Sequence, residues 1–324
     1  MEKFSSRSLS MNKDVSYVAP FIASTQSGTT ASKMAYMERL VSELNNSDLR
    51  DNAIRVLSKR TDLFKELAPL LWNSFGTIVL LLQEIVSIYP NLSPPNLSSA
   101  QSTRVCNILA LLQGVASHSD TKMLFIDANI PLYLYPFLKT RNNVPQFEHL
   151  RLASLGVIGA LVKVNTKEVI SFLLSSEIIP LCLSNMEIGK EISKTIATFI
   201  IEKILADEEG LAYVCATVER FFAVTRVLDM MLETLQIQPS LRLLKLVIQC
   251  YSRLSNNHSR AGIALTRCLP NMLRNTTFIN HLREDPAIWR WVNELYENVG
   301  KNEVPLVPGG GVINDRVGSS LSGK

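Results

Sequence analysis

RLASLGVIGALVKV (residues 151–164) has a helical pattern, two glycines and almost no side chain able to do chemistry. Its pattern is not unique in the chain. RVCNILALLQGVAS (104–117) and RLLKLVIQCYSRLS (242–255) align with it without gaps, placing Val105, Leu152 and Leu243 in register, then Ile108, Leu155 and Leu246. The copies start 47 and 91 residues apart, the second offset being close to two units of about 45. A second phrase recurs, IPLYL at 130–134 and IPLCL at 179–183.

Working outward from these copies, nearly every segment carries apolar residues at helical spacing, such as Leu63, Leu67, Leu70 and Leu71, then Ile78, Leu81, Leu82, Ile85 and Val86. Strand-type alternation is nowhere sustained. Prolines at 69, 90, 94, 95, 131, 136, 145, 180, 239 and 270 fall between apolar runs, each able to end one helix or open the next. Short helices recurring with a period of 40 to 47 residues are the pattern of armadillo or HEAT arrays, in which each unit buries its face against its neighbours. The expected fold is an all-α armadillo-repeat superhelix of about six repeats spanning 33–299. Residues 1–32, rich in Ser and Thr, and 300–324, with PLVPGGG and GSSLSGK, are expected to be disordered tails. In RLASLGVIGALVKV, Leu152, Leu155, Ile158 and Val162 should face inward, with Gly156 and Gly159 leaving room for close approach.

Composition narrows the function classes. A chain of 324 residues with 47% hydrophobic residues can bury a large core, and a net charge of +4 permits a nucleic-acid partner without requiring one. Cys106, Cys182, Cys215, Cys250 and Cys268 lie singly in apolar runs and read as reduced thiols rather than disulfides or ligands. The opening MEKFSSRSLSMNKD has no apolar core of a secretion signal, and Gln83, Glu84 and Glu177 interrupt the two most apolar stretches, so no membrane span is expected. An intracellular protein is the expectation. His118, His149, His258 and His281 are scattered with no second ligand four residues on, and no nucleophile elbow, phosphate loop or zinc motif is present. Catalytic residues, metal and cofactor are all expected to be absent.

LAPLLWNSFGTIVLLLQEIVSIYP (67–90), IPLYLYPFLKT (130–140), LRLASLGVIGALVK (150–163), FLLSSEIIPLCL (172–183), SKTIATFIIEKIL (193–205) and LAYVCATVERF (211–221) closely resemble the Rcd or Caf-forty family, named for being required for cell differentiation. The resemblance runs from about residue 33 to 299 without a large gap. It implies a non-catalytic armadillo subunit of the Ccr-Not mRNA deadenylase complex, acting in mRNA decay, translational repression and gene silencing. It further implies docking on the Not scaffold, recruitment of short helical or linear motifs of RNA-binding regulators, self-association as a homodimer, weak nucleic-acid binding, and a cytoplasmic and also nuclear location.

Three candidate sites follow. Phe75, Val79, Leu82 and Val86 fall on one helical stripe, which by spacing alone suits core and interface equally; the resemblance assigns it, with Asn73, to the Not scaffold. Relatives often carry His where Asn73 stands. The resemblance places a concave peptide groove at His149, Gly156 and Ile196, where His149 replaces a frequent Tyr; nearby Arg151, Lys163 and Lys194 either complement an acidic partner or form a solvated face. A tryptophan pocket of animal relatives maps to Val218, Arg220 and Arg260. Val218 replaces a Tyr there, removing an aromatic wall and making the pocket degenerate. The other reading of an armadillo array, an import receptor for basic peptides, needs Trp and acidic residues along the inner helices. The chain's Trp72, Trp289 and Trp291 lie elsewhere.

Overall fold

In the computed structural model the described residues are 30–60, 64–257, 260–274 and 285–302, and they contain helices and turns without a β-strand among them. The long helices recur at the expected interval. α5 (Ser99–Ser117), α8 (Pro145–Val162) and α11 (Glu191–Ala206) begin 46 residues apart. The chain divides into two compact units, Met1–Ile200 and Ile201–Lys324, the boundary falling within α11. Of the stretches expected as tails, residues 30–32 open α1 and 300–302 end the last helix; 1–29 and 303–324 lie outside the described residues.

In the first unit, α1 (Thr30–Glu43) and α2 (Ser47–Leu57) precede three helical groups. These are α3 (Phe64–Asn73), α4 (Thr77–Ser87) and α5; α6 (Ser119–Asp127), α7 (Tyr135–Leu138) and α8; then α9 (Lys167–Ser175), α10 (Ile178–Ile188) and the start of α11. α5 and α8 pack along each other more extensively than any other described pair. Ile108, Leu109, Leu112, Leu155, Ile158 and Val162 are buried, as their periodicity requires. Leu152, expected inward, is half-buried. Helix starts follow local chemistry. Ser98 and Gln101 form a reciprocal capping box at α5, and Pro145 opens α8 where a missing N–H costs nothing. His118 caps α6, its Nδ1 accepting the Asp120 N–H at 3.2 Å, which gives one of the four histidines a structural role.

Punctuation by proline holds at α7 and α8 but not everywhere. Pro69 lies inside α3, and Pro180 lies inside α10 rather than before it. The recurrent phrase also splits in structure: IPLYL is a 3-10 turn, whereas IPLCL belongs to α10.

The second unit continues with α12 (Glu208–Cys215), α13 (Val218–Ile237), α14 (Leu241–Ser255), α15 (Arg260–Cys268), α16 (Asn271–Arg274) and α17 (Pro286–Asn302). α14 and α15 both pack on α17. The α14–α17 seam combines buried Ile288, Val292 and Leu295 with polar contacts, Ser252 donating to Glu294 at 2.7 Å and Asn298 to Ser255 at 3.1 Å. Asp207 caps α12 by accepting the Glu209 and Gly210 N–H groups.

Gly210 is buried where α12 crosses the end of α11, and a Cβ there would collide with the backbone carbonyl of Ile204. Backbone cannot rotate aside as a side-chain tip can. Gly210→Ala should therefore lower stability by on the order of 2 kcal/mol, read as a reduced denaturation midpoint by circular dichroism.

Candidate interaction surfaces

The first surface is built by a corner. α3 ends at Asn73, the two helices meet at 90°, and Gly76 takes φ +74° before α4 begins at Thr77. Only glycine adopts that conformation without strain. The stripe read from sequence as one helix is thus a turn residue followed by a helical face. Phe75, in the turn, is 97% exposed; Val79 is 60% and Val86 39% exposed, with Leu82 half-buried and Asn73 exposed beside them. Thr77, Leu81 and Ile85 on the other face of α4 supply the core. This removes the core reading of the stripe. A phenyl ring left almost wholly in water is an apolar surface that no described residue covers.

The second surface lies on α8 and α11. His149, Ala153, Gly156, Ala160 and Lys163 succeed one another on the face of α8 that is not fully buried. The two glycines separate in role. A Cβ on buried Gly159 would lie 3.3 Å from Ile196 Cγ2 and 4.0 Å from Phe199, so this glycine serves the approach of α11. Half-exposed Gly156 faces the Gln113 side chain of α5, whose Oε1 would lie 3.2 Å from such a Cβ. The result is a shallow spot floored by backbone, bordered by Gln113 on α5, with half-exposed Ile196 and Lys194 on α11.

Arg151 does not belong to that surface. Sequence reasoning offered it as a basic groove residue, but it is 0% exposed. Its Nη1 donates to the carbonyls of Thr140 (3.1 Å) and Asn142 (2.7 Å), and its Nη2 to Glu148 at 2.6 Å. Glu148 also accepts from Ser193 Oγ at 2.7 Å and from the Lys190 backbone N–H at 3.0 Å. A guanidinium is retained in the interior only when paired and hydrogen-bonded, and here it ties α8 to the preceding loop while its carboxylate ties α8 to the start of α11. The E-x-x-R spacing of Glu148 and Arg151 was the sequence signal for this pair.

In the second unit, Val218 is the first residue of α13 and 66% exposed, and it brings no aromatic ring to that position. The Arg220 guanidinium lies over the Tyr213 ring, 3.8 Å from its centroid. Sequence reasoning did not single out Tyr213. The side chain of Arg260 lies outside the described residues.

Nothing at either surface resembles a reaction centre. Among the described residues no group of three His, Cys, Asp or Glu side chains is arranged to hold a metal ion. The five cysteines are free thiols, and burial raises Cys106 and Cys215 to about 11, so both are protonated at neutral pH. No single helix among the described residues is long and apolar enough to cross a membrane.

Burial alone would raise the Glu148 carboxyl, but the hydrogen bonds from Ser193, Lys190 and Arg151 outweigh it and hold the group below its ordinary value of 4.5. The stability this depressed carboxyl contributes is complete above that ordinary value and is lost as pH falls through its lower folded-state value. Glu148→Gln should therefore melt earlier than the parent at neutral pH, with the gap narrowing in acid, as measured by thermal melts from pH 7 downward.

The Rcd1-like cell differentiation family matches residues 40–299. Cell differentiation protein rcd1 of Schizosaccharomyces pombe is 52% identical over 257 residues, covering 79% of this chain and 90% of that protein. Protein CAF40 of Saccharomyces cerevisiae is 50% identical over 256 residues, covering 79% of this chain and 68% of that protein. Among solved structures, a designed armadillo repeat protein superposes with a TM-score of 0.59 at 14% identity, over 81% of this chain and 99% of its own. A second designed armadillo repeat protein, solved in complex with the peptide (KR)4, gives 0.56 at 14% identity over the same shares. At such identity the designed proteins speak to the fold alone, which is the armadillo array. The sequence relatives, alike over most of their length, carry the lineage: the chain belongs to the Rcd1-like cell differentiation family.

Proposed function

We propose that the chain is a non-catalytic adaptor subunit of the Ccr-Not mRNA deadenylase complex. In this reading the Phe75–Val86 face docks on a helical segment of the Not scaffold, and the α8–α11 face receives peptide motifs of RNA-binding regulators. The observation that carries it is the exposed row itself. Phe75, Val79 and Val86 stand in solvent while the opposite side of α4 is fully buried. From Val79 to Val86 the helical part of the row extends about 10 Å, or about two turns, enough to engage an amphipathic helix, with Phe75 standing before it in the turn. Membership of the Rcd1-like family supports the Not scaffold as the partner.

For the second face, Gly156 offers the shallow spot and Ile196 an apolar neighbour, which suits an apolar ridge on a helical ligand. A designed neighbour was solved with a basic peptide, (KR)4, but Lys163 and Lys194 give this face the wrong charge for one. An import-receptor reading is correspondingly disfavoured. Weak nucleic-acid binding through the same lysines, self-association, and a cytoplasmic and nuclear location belong to the proposal.

Two variants test it. Val79→Glu should leave the melt within about 0.5 kcal/mol of the parent, because the residue is exposed, and should abolish capture of a purified Not-scaffold fragment. A stable variant that still binds would overturn the docking assignment. Gly156→Trp should leave scaffold capture intact and remove binding of helical regulator peptides, measured by fluorescence anisotropy; unchanged peptide affinity in a folded variant would remove the α8–α11 face from the proposal.

A further inference from the structure

Glu84 lies two residues from both Leu82 and Val86, hence on the side of α4 turned away from the exposed row, and it is only 16% exposed. Its two carboxylate oxygens are divided between two other helices. Oε1 accepts from Arg50 Nη1 of α2 at 3.0 Å, and Oε2 from Arg104 Nε of α5 at 3.0 Å. Arg104 pairs in addition with Asp51 of α2. Arg50 Nε donates to the Leu44 carbonyl at 2.9 Å, in the turn after α1. That same turn faces the start of α4, where Asn45 Oδ1 lies 3.9 Å from the position of a Cβ on Gly76.

Both ends of α4 are thus referred to one frame. The apolar contacts of Leu81 and Ile85 dictate that one side of α4 is buried, but apolar burial is non-directional and tolerates rotation about the helix axis. A carboxylate held by two guanidiniums from different helices does not, since rotation breaks at least one charge-assisted bond. Burial, and second the neighbouring Arg50, hold Arg104 below its ordinary value, in keeping with two cations facing one carboxylate.

We propose that Glu84 is a positioning residue for the docking face: clamped between Arg50 and Arg104, it sets the rotation of α4 at which Phe75, Val79 and Val86 present a single row to the partner. This rests on the docking role of that face given above. It predicts an effect on partner affinity from a residue on the side of α4 turned away from the docking row.

The test compares full-length chains carrying Glu84→Gln, Glu84→Asp, Val79→Glu and Gly210→Ala, titrated calorimetrically with a purified Not-scaffold fragment, with melts and amide hydrogen exchange in parallel. Glu84→Gln should bind several-fold more weakly and expose the α4 amides to faster exchange while leaving those of α8 unchanged. Glu84→Asp should recover part of the affinity, because it keeps the charge and loses only reach, and it carries the comparison if the Gln variant does not fold. Gly210→Ala, destabilised in the other unit, should bind as the parent does. If Val79→Glu loses binding while Glu84→Gln keeps it, the positioning role falls and the docking face stands. An affinity loss in Gly210→Ala equal to that in Glu84→Gln would reduce Glu84 to a stabilising residue. Parent-like binding by Val79→Glu would overturn the docking face itself, and the role of Glu84 with it.

Discussion

A helix leaves the carbonyls of its last turn without partners, and an array of short helices multiplies that deficit at every corner. In this chain arginines from other helices bond carbonyls at the end of α11 and in the turns just after α1 and α7. Arg50 reaches the Leu44 carbonyl after α1, Arg151 the Thr140 and Asn142 carbonyls after α7, and Arg253 the Leu205 and Ala206 carbonyls at the end of α11. Each of these arginines also meets a carboxylate, Glu84, Glu148 or Glu208. The corner is thereby hydrogen-bonded and the cation neutralised in one arrangement. Leucine and isoleucine pack the layers together without direction; the forked guanidinium gives each layer its angle.

That division of labour explains where the surfaces arise. With the corners satisfied internally, α4 keeps its buried side for Leu81 and Ile85 and can leave Val79 and Val86 outward, beyond a corner residue, Phe75, that makes no core. On α8 the same economy leaves Gly156 beside Gln113 while Gly159 is consumed by the contact with Ile196. Two glycines three residues apart on one helix thus serve opposite ends, one lending depth to a surface and the other closing a core. The strongly raised groups are buried thiols and phenols, whose desolvation keeps them neutral and unreactive.

Arg151 shows the limit of reading charge from composition. On a helical wheel a basic residue beside a glycine suggests an anion-facing surface, and cations are mostly exposed. Glu148 three residues earlier and Ser193 forty-two residues later reverse that expectation, because together they satisfy the guanidinium–carboxylate pair in the interior. The later partner is separated from Arg151 by two helices, so its contribution belongs to the packing of α8 on α11. The same holds for Glu84, whose partners Arg50 and Arg104 flank it by 34 and 20 residues.

The sequence by itself determined the helical class, a recurrence of long helices every 40 to 47 residues and the buried faces of α5 and α8, because these follow from local spacing of apolar residues that any packing must respect. It also contained the E-x-x-R signal of Glu148 and Arg151, which was not used. Only the tertiary structure decided that the Phe75 row is surface rather than core, since one apolar stripe has the same periodicity whether a neighbour covers it or not. It alone decided that Arg151 is interior, that Gly156 and Gly159 part company, and that Pro69 sits within a helix. For the two glycines and for the Glu148–Arg151 pair, deciding groups arrive from outside α8, and the distance between elements is not written in the spacing of either one.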